Sequence, residues 1–283
     1  MSLSGDAGVR WTTNRKVKSV DYEFITYEVR EKVAYVTINR PEVMNALHPA
    51  ANAEMRDAFD GFRGDDGAWV AILTGSGEQA FSSGNDLKAT AFLGRERSSA
   101  PAAPRLPFGG ITRDFQCDKP MIAAVNGYAL GGGFELVLAC DVVVAADHAR
   151  FALPEPRVGL VAAAGGMHRL PQHIPLKVAM GMMLTGRQID AREAYHLGIV
   201  NEVVPFDTLM ATAQRWAAEM LECSPVSVRI TKESVLAGLG MSVEAAIYDD
   251  ATSGRLSRLS ASEDFIEGPR AFAEKRRPEW KGR

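Results

Sequence analysis

The chain has 283 residues, 46% hydrophobic and 24% charged, enough for a sizeable core plus a smaller appendage. A net charge of −3 and a pI near 6.0 speak against a nucleic-acid binder, and no apolar run approaches the roughly 18 residues of a membrane span. Cys117, Cys140 and Cys223 are few, odd in number and without metal-ligand spacing, so they read as free buried thiols of a reducing, cytoplasmic compartment.

In chain order, residues 1–20 are polar, carry Arg10, Arg15, Lys16 and Lys18, and lack the apolar core of a signal. Asp6 and the short length weigh against a transit peptide, so the segment reads as a flexible tail. Residues 22–29 and 32–39, rich in β-branched and aromatic side chains, read as two strands joined at Arg30-Glu31. A helix is expected over 49–62 and a buried strand over 68–74. The glycine- and serine-rich loop 75–84 leads into Asn85-Asp86-Leu87, and four prolines over 95–110 predict a mobile loop or lid edge. Strands follow at 121–125 and 142–146, with a buried helix at 134–140 between them. Residues 150–155 read as extended, 162–170 and 175–184 as helical, and Asp190 as the cap of a helix to Leu197. The last strand spans 199–204. Helices then cover 208–223, 226–236, 243–252 and 260–275. Strand pairs alternating with helices predict an α/β fold of stacked β-β-α turns over 21–205 and a helical domain over 206–283.

Three segments carry chemistry. In the first, KPMIAAVNGYALGGGFELVLACD from Lys119, the triplet Gly131-Gly132-Gly133 sits where a strand passes into a helix N-terminus. Glycine admits close approach of a ligand, and the first helical N–H groups have no internal partner, a setting for an anion or developing oxyanion. Glu135 places a carboxylate on the first turn of that apolar helix, which is costly unless the group is paired or used. In the second segment, AFSSGNDL, Gly84 frees the N–H of Asn85, so one donor from each segment can hold a single oxygen. Taken alone, the loop is plain punctuation. The third, LPEPRVGLVAAAGG, holds Glu155 between Pro154 and Pro156; two carboxylates beside backbone donors suit general acid–base work.

AFSSGNDL, NGYALGGGFELVLACD, LPEPRVGLVAAAGG and the ending AEKRRPEWKGR together resemble the crotonase superfamily, the enoyl-CoA hydratase/isomerase family, over about residues 20–283. The resemblance implies a crotonase-like spiral of β-β-α turns with a C-terminal helical trimerisation domain, assembled as homotrimers or as hexamers built from two trimers. It implies an acyl-CoA thioester substrate, CoA being part of the substrate and no cofactor or metal being needed. The N–H groups of Asn85 and Gly132 would bind the thioester oxygen, and Glu135 and Glu155 would be the acid–base pair. Ala46, Leu47, Ser83, Gly84, Asp86, Leu87, Lys88, Tyr128, Leu130, Gly131 and Pro154 would line the substrate or CoA site. Lys275, Arg276, Arg277 and Lys281 read as a solvated basic tail, with contact to CoA phosphates as the sharper alternative.

On this footing the expected reaction is reversible syn addition of water to a trans-2-enoyl-CoA, through an enolate held by the two N–H groups. Glu135 acts mainly as base toward water, and Glu155 delivers the α-proton. Asn85 stands where the family commonly has alanine, and 161–164 replaces a frequent proline-glycine run, with Ala163 near the place of the water. Carnitinyl-CoA (crotonobetainyl-CoA) dehydratases share many of these features, whereas isomerases of the same fold often keep one acid. From other classes, a thioester hydrolase would need Ser82 or Ser83 as nucleophile with a matching histidine, and no G-x-S-x-G elbow exists. A catalytically silent scaffold of this fold is the last alternative. The five histidines show no ligand spacing, and Asp141 reads as a structural cap or ion-pair partner.

Overall fold

The computed structural model describes residues 12–14, 17–88 and 107–283. Eight strands form one sheet in the order β1 (Thr12–Asn14), β2 (Val17–Val20), β3 (Ile25–Arg30), β4 (Val33–Ile38), β5 (Val70–Gly75), β7 (Met121–Val125), β9 (Val142–Ala146) and β12 (Glu202–Val204). A second, four-stranded sheet runs β11 (Ile189–Asp190), β10 (Arg150–Ala152), β8 (Tyr128–Leu130), β6 (Ala80–Ser82). The chain alternates between them: β5 then β6, β7 then β8, β9 then β10. From β4 onward the large sheet is parallel, so each turn needs a crossover, and the result is a spiral of β-β-α turns. β5 and β7 are buried at every residue, the signature of parallel strands covered on both faces, whereas β3 alternates buried Ile25, Tyr27 and Val29 with more exposed neighbours.

The flexible tail expected to residue 20 is corrected by β1 and β2. They pair antiparallel and extend the sheet onto β3, Val17 facing Arg30 and Val20 facing Tyr27. The edge of β3 offers the unpaired backbone groups that recruit them. Residues 1–11 and 15–16 lie outside the described residues, as does the expected proline-rich loop up to residue 106. Its end is packed: Phe108–Gly110 forms a 3-10 turn, Gly109 N–H donates to Asn52 Oδ1 (2.6 Å), and a methyl on Gly110 would lie 2.6 Å from Arg56 Cα. Small residues let this turn settle on a helix instead of forming a free lid edge.

That helix, α1 (Pro49–Gly64), starts at a proline and is capped by His48, whose Nδ1 accepts from Ala51 N–H (3.0 Å). Its buried face is Ala51, Met55, Ala58, Phe59 and Phe62. The core between the sheets is closed by α1 and α2 (Gly132–Val137). Helices α3 (Gly166–His173), α4 (Leu176–Thr185) and α5 (Ala191–His196) complete the next turn, and Asp190 caps α5 by accepting from Glu193 N–H (2.8 Å). The helix expected from residue 162 begins only at Gly166, because Gly165 takes φ +109°.

After Val204 the chain is helical: α6 (Leu209–Leu221), α7 (Pro225–Gly238), α8 (Val243–Thr252), α9 (Arg255–Ser260) and α10 (Glu263–Ala273). Residue 205 marks the change of secondary structure, while packing runs on past it. Leu209, Ala213 and Ala217 of α6 lie on Val70, Ile72, Ile122 and Val144 of the large sheet. The helix expected over 260–275 is α10, starting at Glu263 because Ser262 caps it, its hydroxyl accepting from Phe265 N–H (3.1 Å); α9 before it is a separate helix that was not expected. Asp141 pairs with Lys232 of α7 (2.7 Å) and accepts from Met121 N–H (2.7 Å), which ties the helical segment to β7. Of the three free thiols, Cys140 is buried, but Cys223 is exposed, since it lies beyond the face that α6 turns to the sheet. No helix among the described residues is long and apolar enough to cross a membrane.

Candidate active site

The site forms where the end of β6 meets the start of α2. Gly84 has φ +89°, and a methyl there would stand 2.7 Å from Leu130 O and 2.8 Å from Gly132 N. A methyl on Gly133 would stand 2.0 Å from Ser82 O. Only glycine at both positions lets the loop that leads into Asn85 abut the first turn of α2, with Gly84 packed against the Gly132 backbone nitrogen. Gly131, the residue before α2, has φ +54°, and a methyl on it would lie 3.0 Å from Glu155 Oε1. A methyl on Gly132 would meet the Phe108 ring at 2.5 Å, so that ring covers the first residue of the helix.

A buried polar net holds the loop. Ser82 Oγ donates to Asn45 O (2.8 Å) and accepts from Gly84 N–H (3.1 Å). Asn45 Nδ2 donates to Ala80 O (2.7 Å) and Ser76 O (3.0 Å), and Asn126 Nδ2 donates to Gly77 O (2.7 Å) and Ala80 O (3.0 Å). Leu47 N–H donates to Gly84 O (2.8 Å), Asp86 N–H to Leu47 O (3.0 Å), and Leu47 and Asn85 pair as a parallel bridge. Ser82 is fully buried with both hydroxyl roles committed, which removes it as a hydrolytic nucleophile.

Glu135 projects from the first turn of α2 and is 3% exposed. Its Oε1 accepts from Gly166 N–H (2.8 Å), and the N–H of Ala164 also favours its charged form. Burial outweighs these donors and, with the nearby charge of Glu155, pushes the carboxyl up to about 7; the Arg169 guanidinium pulls the other way. Glu155, on the 3-10 turn Glu155–Val158, is likewise raised by burial. Its Oε2 is buried with no hydrogen-bond partner among the described residues. Two neighbouring carboxyls, both biased toward protonation by burial, suit general acid–base work.

The other expected residues fall in three groups. Ala46, Leu47, Ser83, Gly84, Leu130, Gly131 and Pro154 gather around this junction, with Ser83 N–H donating to Met44 O (2.9 Å). Asp86 faces inward to Arg40 (3.3 Å), an ion pair whose side chains are 12% and 14% exposed, and Arg40 also donates to Ala46 O (2.5 Å). Leu87, Lys88 and Ala163 are exposed, and Tyr128 opens β8 at the end away from Gly131. Arg276 of the basic tail is engaged by Glu267 (2.6 Å) and Glu274 (2.6 Å). Sequence reasoning missed Arg169, Phe108 and the positioning roles of Ser82 and Asn126. For Arg169 the available signal was an arginine four residues after Gly165, at the start of a helix that leaves the acid segment.

Residues 28–283 match the enoyl-CoA hydratase/isomerase family. The chain is 47% identical over 253 residues to a carnitinyl-CoA dehydratase of Citrobacter koseri, covering 88% of this chain and 94% of that one. It is 46% identical to the carnitinyl-CoA dehydratase of Escherichia coli K12 over the same shares. Among solved structures it resembles an enoyl-CoA hydratase from Mycobacterium tuberculosis H37Rv, with a TM-score of 0.84 and 38% identity, covering 92% of this chain and 99% of that one.

Proposed function

The chain belongs to the enoyl-CoA hydratase/isomerase family, and from that premise we propose that it is a hydro-lyase of CoA thioesters, adding water across, or removing it to form, a 2,3-double bond. The observation that carries this reading is the pairing of Glu135 and Glu155, both raised by burial, over the Gly84–Gly132 junction. An isomerase needs one such acid; moving a proton at Cα and another at the Cβ oxygen uses two.

In the elimination direction, ionised Glu155 takes the α-proton, and the C–H electrons move onto the thioester oxygen as an enolate. The N–H groups of Asn85 and Gly132 receive that oxygen, each such donor being worth on the order of 3 kcal/mol. The enolate then expels the β-hydroxyl, protonated by Glu135 as it leaves as water. The pair resets when the proton on Glu155 returns to Glu135. Hydration is the reverse, with Glu135 as base toward water and Glu155 as donor to Cα. The value near 7 for Glu135 suits both directions, since each of its protonation states is populated at neutral pH.

For the acyl group, the relatives named carnitinyl-CoA dehydratase, at 46–47% identity over 94% of their length, favour a carnitinyl/crotonobetainyl thioester over a plain enoyl chain. Assembly as trimers or hexamers is part of the proposal. Exposed Val243, Ile247, Tyr248 and Phe272 on the C-terminal helices support a covered surface there. The test follows the ultraviolet absorbance of the conjugated thioester with crotonobetainyl-CoA and with straight 2-enoyl-CoA esters of increasing length. Turnover of either that vanishes in Glu135→Gln supports the reading, and the faster ester names the acyl class. Unchanged absorbance with every ester would overturn it.

A further inference from the structure

The donors that hold Glu135 sit on a loop, and a loop needs something to fix it. Residues 162–165 run from the acid turn to α3 without regular structure, yet Ala164 and Gly166 present N–H groups to one buried carboxyl. Arg169, on the first turn of α3, crosses this loop. Its Nη2 donates to Thr112 O (2.9 Å) and its Nη1 to Ala164 O (3.4 Å). A methyl on Gly165 would lie 2.0 Å from Arg169 Nη1, so the guanidinium occupies the space any side chain at 165 would take. Gly165 also has φ +109°, and Arg169 N–H closes the turn onto Gly165 O (2.8 Å). At the far end of the bridge, Thr112 Oγ1 donates to Phe108 O (3.0 Å), and Phe108 is the ring that covers Gly132. One planar cation thus links the donor loop of Glu135 to the turn that shields the oxygen-binding helix start.

We propose that Arg169 is the positioning residue of Glu135: its guanidinium pins loop 162–165 to the Thr112 carbonyl and sets a positive charge behind the carboxylate. It touches no reacting atom and acts through Glu135. The charged groups facing Glu135 are Glu155 from the acid turn, which disfavours ionisation, and Arg169 from α3, which favours it. Beside Arg169 lie Cys140 of the segment after α2, whose thiol burial keeps neutral, and His173 of α3, held below its ordinary value by burial and by Arg169. Neither supplies a second cation to Glu135, so loss of Arg169 removes the favourable charge there.

This inference rests on the two-glutamate reading, and the experiment separates the two. Arg169→Gln keeps a donor toward Thr112 and loses the charge; Arg169→Lys keeps the charge and loses the fork. The pH dependence of hydration is measured for both, for the unmodified chain and for Glu135→Gln, with folding checked by circular dichroism. Glu135 must be ionised to accept from water, so the acid limb reports it. In Arg169→Gln the limb moves to higher pH, with KM within about threefold. In Arg169→Lys it stays near its original position while kcat falls about tenfold. An unmoved limb in Arg169→Gln, equal limbs in the two variants, or failure of both to fold would overturn the positioning role. Full activity in Glu135→Gln would instead overturn the underlying mechanism.

Discussion

Gly166 N–H donates to Glu135 Oε1 at 2.8 Å across a carboxyl that is 3% exposed. The bond spans two turns of the spiral, from the start of α3 to the first turn of α2. It gives the carboxylate a partner, and burial still wins: the group is pushed up to about 7.

The first consequence concerns pH. In the proposed hydration Glu135 accepts a proton, so kcat/KM falls as pH drops through about 7. Elimination needs the same single proton on the pair, now with Glu135 protonated and Glu155 ionised, and the net reaction takes up no proton, so its kcat/KM falls along the same acid limb. The same acid limb in both directions, absent in Glu135→Gln, is the expected result of initial-rate profiles from pH 5 to 9.

Stability carries the same sign. A carboxyl ordinarily near 4.5 and raised to about 7 in the fold binds more protons folded than unfolded between those values, so stability falls as pH rises through that window. The full cost, about 3 kcal/mol, is in place above pH 7. Glu135→Gln stays neutral, so its thermal midpoint relative to the unmodified chain rises between pH 5 and pH 8. A constant difference between the two would refute the burial argument.

Glu155→Gln removes the group proposed to exchange the α-proton. We expect kcat to fall about 10²–10⁴-fold and KM for the thioester to stay within about threefold. Solvent-deuterium incorporation at Cα checks which acid acts there: it is lost with Glu155→Gln in proportion to turnover.

Gly84→Ala puts a methyl 2.8 Å from Gly132 N and 2.7 Å from Leu130 O, at a residue with φ +89°. The left-handed backbone alone costs about 1–2 kcal/mol, and separating the paired donors lowers kcat about 10²–10³-fold. Denaturant unfolding and turnover check the two effects separately.

Ser82→Ala leaves Gly84 N–H and Asn45 O without the hydroxyl that joins them, at a fully buried position. Each stranded group costs about 1–3 kcal/mol. The midpoint of urea unfolding falls accordingly. Residual turnover in this variant also excludes Ser82 as a nucleophile.

Strands β7 and β9 coincide with the runs expected at 121–125 and 142–146, because a parallel strand covered on both faces is written as an unbroken apolar run. The cap at Asp190 was equally legible, being a contact three residues long. Ranges went astray where distant partners rule: residues 12–14 and 17–20 are strands because β3 presents an edge, and Phe108–Gly110 is packed because α1 receives it. Arg169 was marked in the sequence only by its place four residues after Gly165, since its partner Thr112 is 57 positions away and the space it fills belongs to Gly165.

Residue identity and order were enough for the motifs, the buried strands and the resemblance that joins them, because side-chain periodicity and glycine requirements are local. Folding had to bring Gly84 against Gly132, Glu155 over Gly131 and Arg169 across loop 162–165 before those residues had any chemistry in common. The protonation of Glu135 belongs to that second class. A carboxyl's ordinary value is set by its own bonds, but its value in the fold depends on how much water, and which charges, the surrounding segments leave beside it.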